Sequence, residues 1–123
     1  MIKILFVEDD DFIREAVSQM IGDWGYEVFV ASDVGEAVEV LKSSENIEAL
    51  ITDLTLKTAT RGGYELSHRA IEQRPLLHVI YTSGSARSQI DKYQSVRGAQ
   101  FIQKPYQEES LRSVVDALFA VSV

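Results

Sequence analysis

Acidic residues follow the first apolar run of the chain and appear again after the third. The stretch FVEDDD (6–11) places four carboxylic acids behind an apolar run, and Asp53 follows the run at 47–52. Like charges this close repel one another, so a cluster of ionised carboxylates needs a cation. Oxygen ligands without imidazole or thiolate suit Mg²⁺, with Mn²⁺ as the alternative. An aspartate beside such an ion can attack a phosphoryl group and form an aspartyl phosphate.

Two further groups that this chemistry uses also follow apolar runs. Lys104 comes after the run at 98–103, and the hydroxyls of Thr82 and Ser83 end the run that begins at Leu76. A lysine can neutralise charge on phosphoryl oxygens, and a hydroxyl can donate a hydrogen bond to one of them. Phosphoryl transfer is therefore the indicated chemistry, provided that the fold brings these positions together.

The elements that must position these groups alternate along the chain. Apolar spacing predicts strands over 2–7, 26–31, 47–52, 76–82 and 98–103. It predicts helices over 12–24, 34–43, 64–73, 85–96 and 108–121. Asp10 or Asp11 is placed to cap the first helix, and Gly25 to end it. Such alternation predicts a parallel sheet covered on both faces, and ligands of such sheets bind at the carboxyl ends of the strands.

Composition limits the class of protein. The 123 residues suit one domain, and the absence of cysteine excludes disulfides, thiolate metal sites and cysteine nucleophiles. A net charge of −7 argues against direct binding of nucleic acid. The start MIKILFV meets acids at residue 8, so it indicates neither a signal peptide nor a membrane span. We therefore expect a cytoplasmic protein without membrane contact.

Four stretches together resemble the receiver domain of response regulators over nearly the whole chain. They are VEDD (7–10), ITDL (51–54), YTSG (81–84) and FIQKPY (101–106). Each is common by itself, whereas their order, spacing and placement at strand ends are specific. The resemblance implies a flavodoxin-like, doubly wound (βα)5 sandwich of three layers with sheet order 2-1-3-4-5. It also implies one receiver domain over 1–123, with no effector domain in this chain.

The resemblance also assigns the reacting groups by position. Asp53 would be the phosphoacceptor, and Lys104 would pair with the phosphoryl group. Glu8 and Asp9 would hold Mg²⁺ together with Asp53 and the backbone carbonyl of Thr55.

The switch residues follow from the same resemblance. Ser83 would be the switch hydroxyl, because Gly84 follows it as the family pattern expects, and Thr82 is its rival. Phe101 would be the aromatic switch, with plain core packing as the alternative. Lys104-Pro105 would form a cis peptide, the one type of linkage in which cis costs little.

The implied function is signalling and not enzymatic turnover. Asp53 would take a phosphoryl group from a phosphohistidine on a histidine kinase or a histidine phosphotransfer protein, and the domain would catalyse this step and its own slow dephosphorylation. The surface of the predicted fourth helix, fifth strand and fifth helix (α4-β5-α5) would then change and control a downstream protein target. A homodimer through that surface is a further option.

Some positions depart from the family pattern. Lys57 replaces a proline, Gly62 and Gly63 stand where a single glycine usually comes slightly earlier, and Tyr106 replaces the commoner phenylalanine. The loop over 56–63 would be longer than usual, which bears on phosphoryl lifetime and partner choice. None of these departures removes a reacting group.

Three other classes of protein remain to be weighed. A phosphatase with an aspartate nucleophile would place a second acid two residues later, where this chain has Thr55. A degenerate receiver that only binds a partner need not retain the acids, Ser83 and Lys104. A flavin-binding domain would have a phosphate-cradling loop after the first strand, where acids would repel a phosphate.

Overall fold

The computed structural model describes residues 1–44, 46–56, 62–84, 91 and 94–120. The strands are β1 Lys3–Val7, β2 Glu27–Ala31, β3 Ile47–Asp53, β4 His78–Ser83 and β5 Gln100–Gln103. The helices are α1 Asp11–Asp23, α2 Val34–Ser43, α3 Gly62–Gln73 and α4 Glu108–Leu118. All pairings are parallel, in the order β2-β1-β3-β4-β5, which confirms the predicted sheet and the flavodoxin-like α/β fold.

Apolar side chains on both faces of the sheet make the three layers. Alternate residues of the central strands point to opposite faces, which is why these strands are apolar throughout. One face packs on α2 and α3 and includes the buried residues Leu5, Val7, Ala37, Leu41, Leu50, Leu66, Ala70 and Tyr81. The other packs on α1 and α4 and includes Ile4, Phe6, Val17, Ile21, Ile51, Ile80, Leu111 and Val115.

Short polar side chains fix where the first two helices begin. The Asp10 carboxylate accepts a hydrogen bond from the Ile13 N–H at 3.0 Å, so Asp10 is the cap of α1. Asp33 caps α2 in the same way through the Glu36 N–H at 2.8 Å. Gly25 follows α1 with a φ of +102°, a conformation that glycine adopts without strain.

The observed bounds differ from the predicted ones at several ends. Helix α3 begins at Gly62, two residues before the predicted start, and β4 begins at His78 because Pro75 and Leu76 form a turn. Most of the helix predicted over 85–96 lies outside the described residues. The helix named α4 is therefore the predicted fifth helix. No described helix has the length and hydropathy that a membrane span requires.

Side-chain contacts join the connection between α1 and β2 to α4. The Trp24 indole N–H donates to Glu108 at 3.3 Å, and the Tyr26 hydroxyl donates to Asp116 at 2.6 Å. Burial, followed by the hydrogen bond to Asp116, raises the pKa of Tyr26 to about 12. The phenol therefore stays protonated and keeps this contact over the physiological pH range.

Candidate functional site

The chemistry-bearing residues lie at one edge of the sheet. Glu8 directly follows β1, Asp53 and Ser83 are the last residues of β3 and β4, and Lys104 directly follows β5. Because β1, β3, β4 and β5 are successive neighbours, these four carboxyl ends meet at the edge where ligands of such sheets bind. The sheet order thus brings together residues that are far apart in the sequence.

Three carboxylates form a compact acidic group at this edge. Glu8, Asp9 and Asp53 each offer an oxygen, and these oxygens lie within 4.8 Å of one another. The Glu8 side chain is buried, with 3% of its surface exposed, and its Oε2 accepts the Asp10 N–H at 3.2 Å. Three oxygen donors with this spacing suit a hard divalent cation such as Mg²⁺.

Lys104 supplies the nearest positive charge. Its Nζ lies 2.6 Å from Glu8 Oε1 and 2.9 Å from Asp53 Oδ2, so one ammonium bridges two of the three acids. The backbone N–H of Lys104 donates to the Ser83 carbonyl at 2.7 Å. The Lys104–Pro105 peptide is cis, as predicted. Backbone pairing with the end of β4 therefore fixes where the ammonium can lie.

Burial and charge shift the pKa values of this pair. Burial raises the pKa of Glu8 above its ordinary value, and the opposing attraction of Lys104 only partly offsets it. Burial by itself would lower the pKa of Lys104, but its hydrogen bonds to Glu8 and Asp53 outweigh this and raise it. The ammonium therefore stays charged, and this one cation faces a group of three carboxyl side chains.

A glycine lets α3 approach the phosphoacceptor candidate. A Cβ on Gly63 would lie 2.3 Å from the Asp53 carbonyl oxygen and 2.8 Å from the Leu54 Cα, well inside contact distance. The Gly63 N–H donates to the Leu54 carbonyl at 3.1 Å. The backbone around Asp53 is thus held directly against the start of α3, and only a residue without a side chain fits there.

The two hydroxyl candidates occupy different faces of β4. Thr82 and Ser83 are both buried, and Thr82 is the register partner of Asp53. Alternation along β4 puts Thr82 on the face of Ile80 and Ser83 on the face of Tyr81. The choice of Ser83 over Thr82 therefore stays a prediction.

The other predicted roles also stay predictions. Phe101 is half-buried, and its ring centroid lies 5.2 Å from that of Tyr81. Thr55 is exposed beside the site, and Lys57 lies outside the described residues. Tyr106 is half-buried near Lys104, burial raises its pKa, and its hydroxyl oxygen has no hydrogen-bond partner among the described residues.

Arg14 is a second cation near the acids that the sequence did not single out. Its guanidinium donates to the Glu8 carbonyl at 3.0 Å and to the Asp11 carboxylate at 2.6 Å. The spacing of Asp11 and Arg14, three residues apart on α1, was the available signal. Asp10 and Asp11 thus serve the first helix, whereas Glu8 and Asp9 remain with the acidic group.

Comparison with known proteins agrees with this geometry. Residues 4–116 match the model of the response regulator receiver domain family. The chain is 33% identical over 110 residues to a cyclic di-GMP phosphodiesterase of Thermotoga maritima, covering 89% of this chain and 28% of that protein. It is 26% identical over 112 residues to a putative NtrX-like response regulator of Rickettsia bellii, covering 90% and 23%. The chain thus spans about a quarter of the length of these relatives.

Solved structures give the same result. A response regulator receiver protein from Sinorhizobium medicae superposes with a TM-score of 0.85 at 25% identity, covering 95% of this chain and 93% of that one. The chemotaxis protein CheY4 of Vibrio cholerae gives 0.82 at 26% identity, covering 96% and 98%. The chain belongs to the response regulator receiver domain family, whose members act in two-component signalling.

The close approach at Gly63 yields a first prediction. Gly63→Ala should lower the free energy of unfolding by roughly 1–3 kcal/mol, because the new methyl overlaps backbone that cannot move aside without displacing Asp53. Urea denaturation measures the change. Gly22→Ala is the matched control, since a Cβ there meets nothing within 4 Å and alanine favours the helix by about 0.5–1 kcal/mol. Equal effects of the two substitutions would contradict the contact.

The raised pKa of Glu8 yields a second prediction. A carboxyl whose pKa is raised by folding stabilises fully below its unfolded pKa, here 4.5, and loses that contribution as the pH rises through the folded value. Glutamine has no proton to lose, so Glu8→Gln should gain stability relative to wild type as the pH rises from about 4 to about 7. Urea midpoints in EDTA at both pH values measure this. Exposed Glu15→Gln is the control, and a pH-independent difference for Glu8→Gln would refute the prediction.

Proposed function

We propose that this chain is a phosphoacceptor receiver domain in which Asp53 takes a phosphoryl group from a phosphohistidine. The observation that supports this most directly is the Lys104 ammonium, which contacts Asp53 and Glu8 at 2.9 and 2.6 Å beside a third carboxylate. Receiver domains interact with histidine kinases and downstream effectors. The donor would be a kinase or a histidine phosphotransfer protein.

The transfer step uses residues of this chain in defined roles. A carboxylate oxygen of Asp53 attacks phosphorus, the new P–O bond forms as the P–N bond to the donor imidazole breaks, and the imidazole leaves with the P–N electron pair. Lys104, which already contacts the Asp53 carboxylate, pairs with a phosphoryl oxygen as charge develops there. Hydrolysis of the acyl phosphate by water later restores Asp53.

The acidic group fits a divalent cation. Glu8, Asp9 and Asp53 would hold Mg²⁺ through side-chain oxygens, and the Thr55 carbonyl would complete the protein's share of ligands. A bound Mg²⁺ neutralises negative charge and polarises the phosphoryl oxygens. The buried position of Glu8, where burial raises its pKa, explains why a second cation besides Lys104 would be accepted.

The output would be a change of surface and not a second chemical reaction. Ser83 would turn its hydroxyl toward the phosphoryl group and Phe101 would move inward, which changes the surface around the segment after β4, β5 and α4. That surface would bind a downstream protein or contact a second copy of the chain. Membrane and nucleic acid have no part in this proposal.

Asp53 phosphorylation is directly testable. We expect the chain to gain one phosphoryl group when incubated with Mg²⁺ and acetyl phosphate, and to lose this gain in EDTA or in Asp53→Asn. Intact-protein mass spectrometry measures the addition. Asp10→Asn is the matched control, because Asp10 is the cap of α1 and asparagine caps a helix as well as aspartate does. Labelling that survives Asp53→Asn would reject the assignment, and no labelling of wild type with any donor would favour the pure binding module.

The switch hydroxyl is tested by a pair of substitutions. Ser83→Ala should weaken the conformational response to phosphorylation more than Thr82→Ala, although Thr82 is the register partner of Asp53. Backbone amide NMR shifts of Phe101 and Gln103 before and after acetyl phosphate measure the response. The opposite ranking would assign the switch to Thr82.

A further inference from the structure

Three buried hydroxyl groups link α3 to β4 and to the segment that follows it. Tyr81 Oη lies 2.6 Å from Ser67 Oγ and accepts the Val96 N–H at 3.0 Å. Tyr64 Oη accepts the Asp91 N–H at 3.0 Å, and Ser67 Oγ donates to the Tyr64 carbonyl at 2.8 Å. We call Tyr64, Ser67 and Tyr81 the hydroxyl cluster.

The number of hydroxyl hydrogens determines which group donates in the hydrogen bond between Tyr81 and Ser67. A serine hydroxyl has one hydrogen, and that of Ser67 is used on the Tyr64 carbonyl. Tyr81 must therefore donate to Ser67, which leaves its oxygen to accept from Val96. Burial raises the pKa of Tyr81, so the phenol keeps the proton that it donates. The donors therefore run in one direction, from the Val96 N–H through the Tyr81 and Ser67 hydroxyls to the Tyr64 carbonyl.

Polar contacts join the described part of the segment after β4 to α3 and β4. Besides the Tyr64 and Tyr81 bonds, His68 Nε2 on α3 lies 2.6 Å from the Gln94 carbonyl oxygen. Val96 is the buried apolar residue of the described part. Hydrogen bonds of defined geometry can exchange between two arrangements, whereas close-packed apolar contacts deform less readily.

The cluster also reaches the proposed switch. Tyr81 lies two residues before Ser83 and on the same face of β4. Its ring centroid lies 5.2 Å from that of Phe101 on β5 and 5.5 Å from that of Tyr64 on α3. A displacement of Phe101 would therefore act on the Tyr81 ring, and Tyr81 joins it to Tyr64 on α3.

We propose that the hydroxyl cluster transmits the phosphorylation response to α3, so that the exposed side of α3 (Glu65, His68, Arg69 and Glu72) is part of the signalling surface. This inference rests on the proposed phosphorylation of Asp53 and extends it to a helix outside the expected output surface. The transmitted change is a shift of the segment after β4 relative to α3. Tyr81 is placed to transmit it because its hydroxyl contacts both Val96 in that segment and Ser67 on α3.

The test compares wild type with Tyr81→Phe, which keeps the ring contacts and removes only the hydroxyl. Backbone amide NMR spectra of the whole chain are recorded with Mg²⁺ alone and with Mg²⁺ and beryllofluoride, a stable phosphoryl analogue. In wild type we expect shifts at Asp53, Ser83 and Lys104 and also at residues 68–73. In Tyr81→Phe the site shifts should persist, while those at 68–73 fall about twofold or more.

Hydrogen exchange gives a second readout that needs no phosphoryl analogue. The Val96 amide should exchange about fivefold faster in Tyr81→Phe, because its acceptor is lost. Ser67→Ala removes the other partner of Tyr81 and should reduce the response of residues 68–73 in the same direction, even if Tyr81→Phe folds poorly. An unchanged Val96 exchange rate would overturn the proposed contact.

The control and the outcomes separate the two proposals. Tyr26→Phe removes another hydrogen-bonded phenol, on the opposite face of the sheet, and should leave the response of α3 unchanged. No shift at Asp53, Ser83 or Lys104 in wild type would reject the proposed function itself. Site shifts without a response at 68–73, an equal response in Tyr81→Phe, or an equal loss in Tyr26→Phe would each overturn the role of the hydroxyl cluster.

Discussion

The contact of the Lys104 ammonium with the Glu8 and Asp53 carboxylates is the interaction on which the site depends. Acids that end neighbouring strands repel one another, and little water reaches Glu8 to screen that repulsion. The parallel order of the sheet brings the lysine from the end of β5 to the same place. The next peptide bond, Lys104–Pro105, is cis. The fold thus supplies a fixed positive charge and leaves a surplus of negative charge for a divalent ion.

The two faces of the sheet divide the work of the domain. By alternation along β1, β3 and β4, Glu8, Asp53 and Thr82 fall on the face that packs on α1 and α4, where Asp10 fixes the start of α1. Tyr81 and Phe101 lie on the α2 and α3 side, where buried hydroxyls also form hydrogen bonds. The acids therefore fall on one face of the sheet, and the proposed rearrangement involves the other face, which carries the buried hydrogen bonds of Tyr81.

Much of this arrangement could be predicted from the sequence. Contacts that depend on how one element packs against another could not be predicted. Apolar runs that end in Glu8, Asp53, Ser83 and Lys104 predicted the strand ends, because burial on both faces requires continuous apolar residues. The Tyr81 hydrogen bonds could not be predicted, since their partners Ser67 and Val96 depend on how α3 lies against the sheet. The close approach of Gly63 to the Asp53 backbone also depends on tertiary packing. The sequence alone does not indicate which segment a glycine approaches.

The contact between Lys104 and Glu8 joins residues that are 96 positions apart in the chain. Closing so long a loop costs conformational entropy, so we expect this contact to form late in folding, after the intervening strands have paired. During synthesis Glu8 and Asp53 emerge before Lys104. A partly folded chain therefore presents Glu8 and Asp53 without Lys104, so the proposed transfer of a phosphoryl group to Asp53 would require the completed domain.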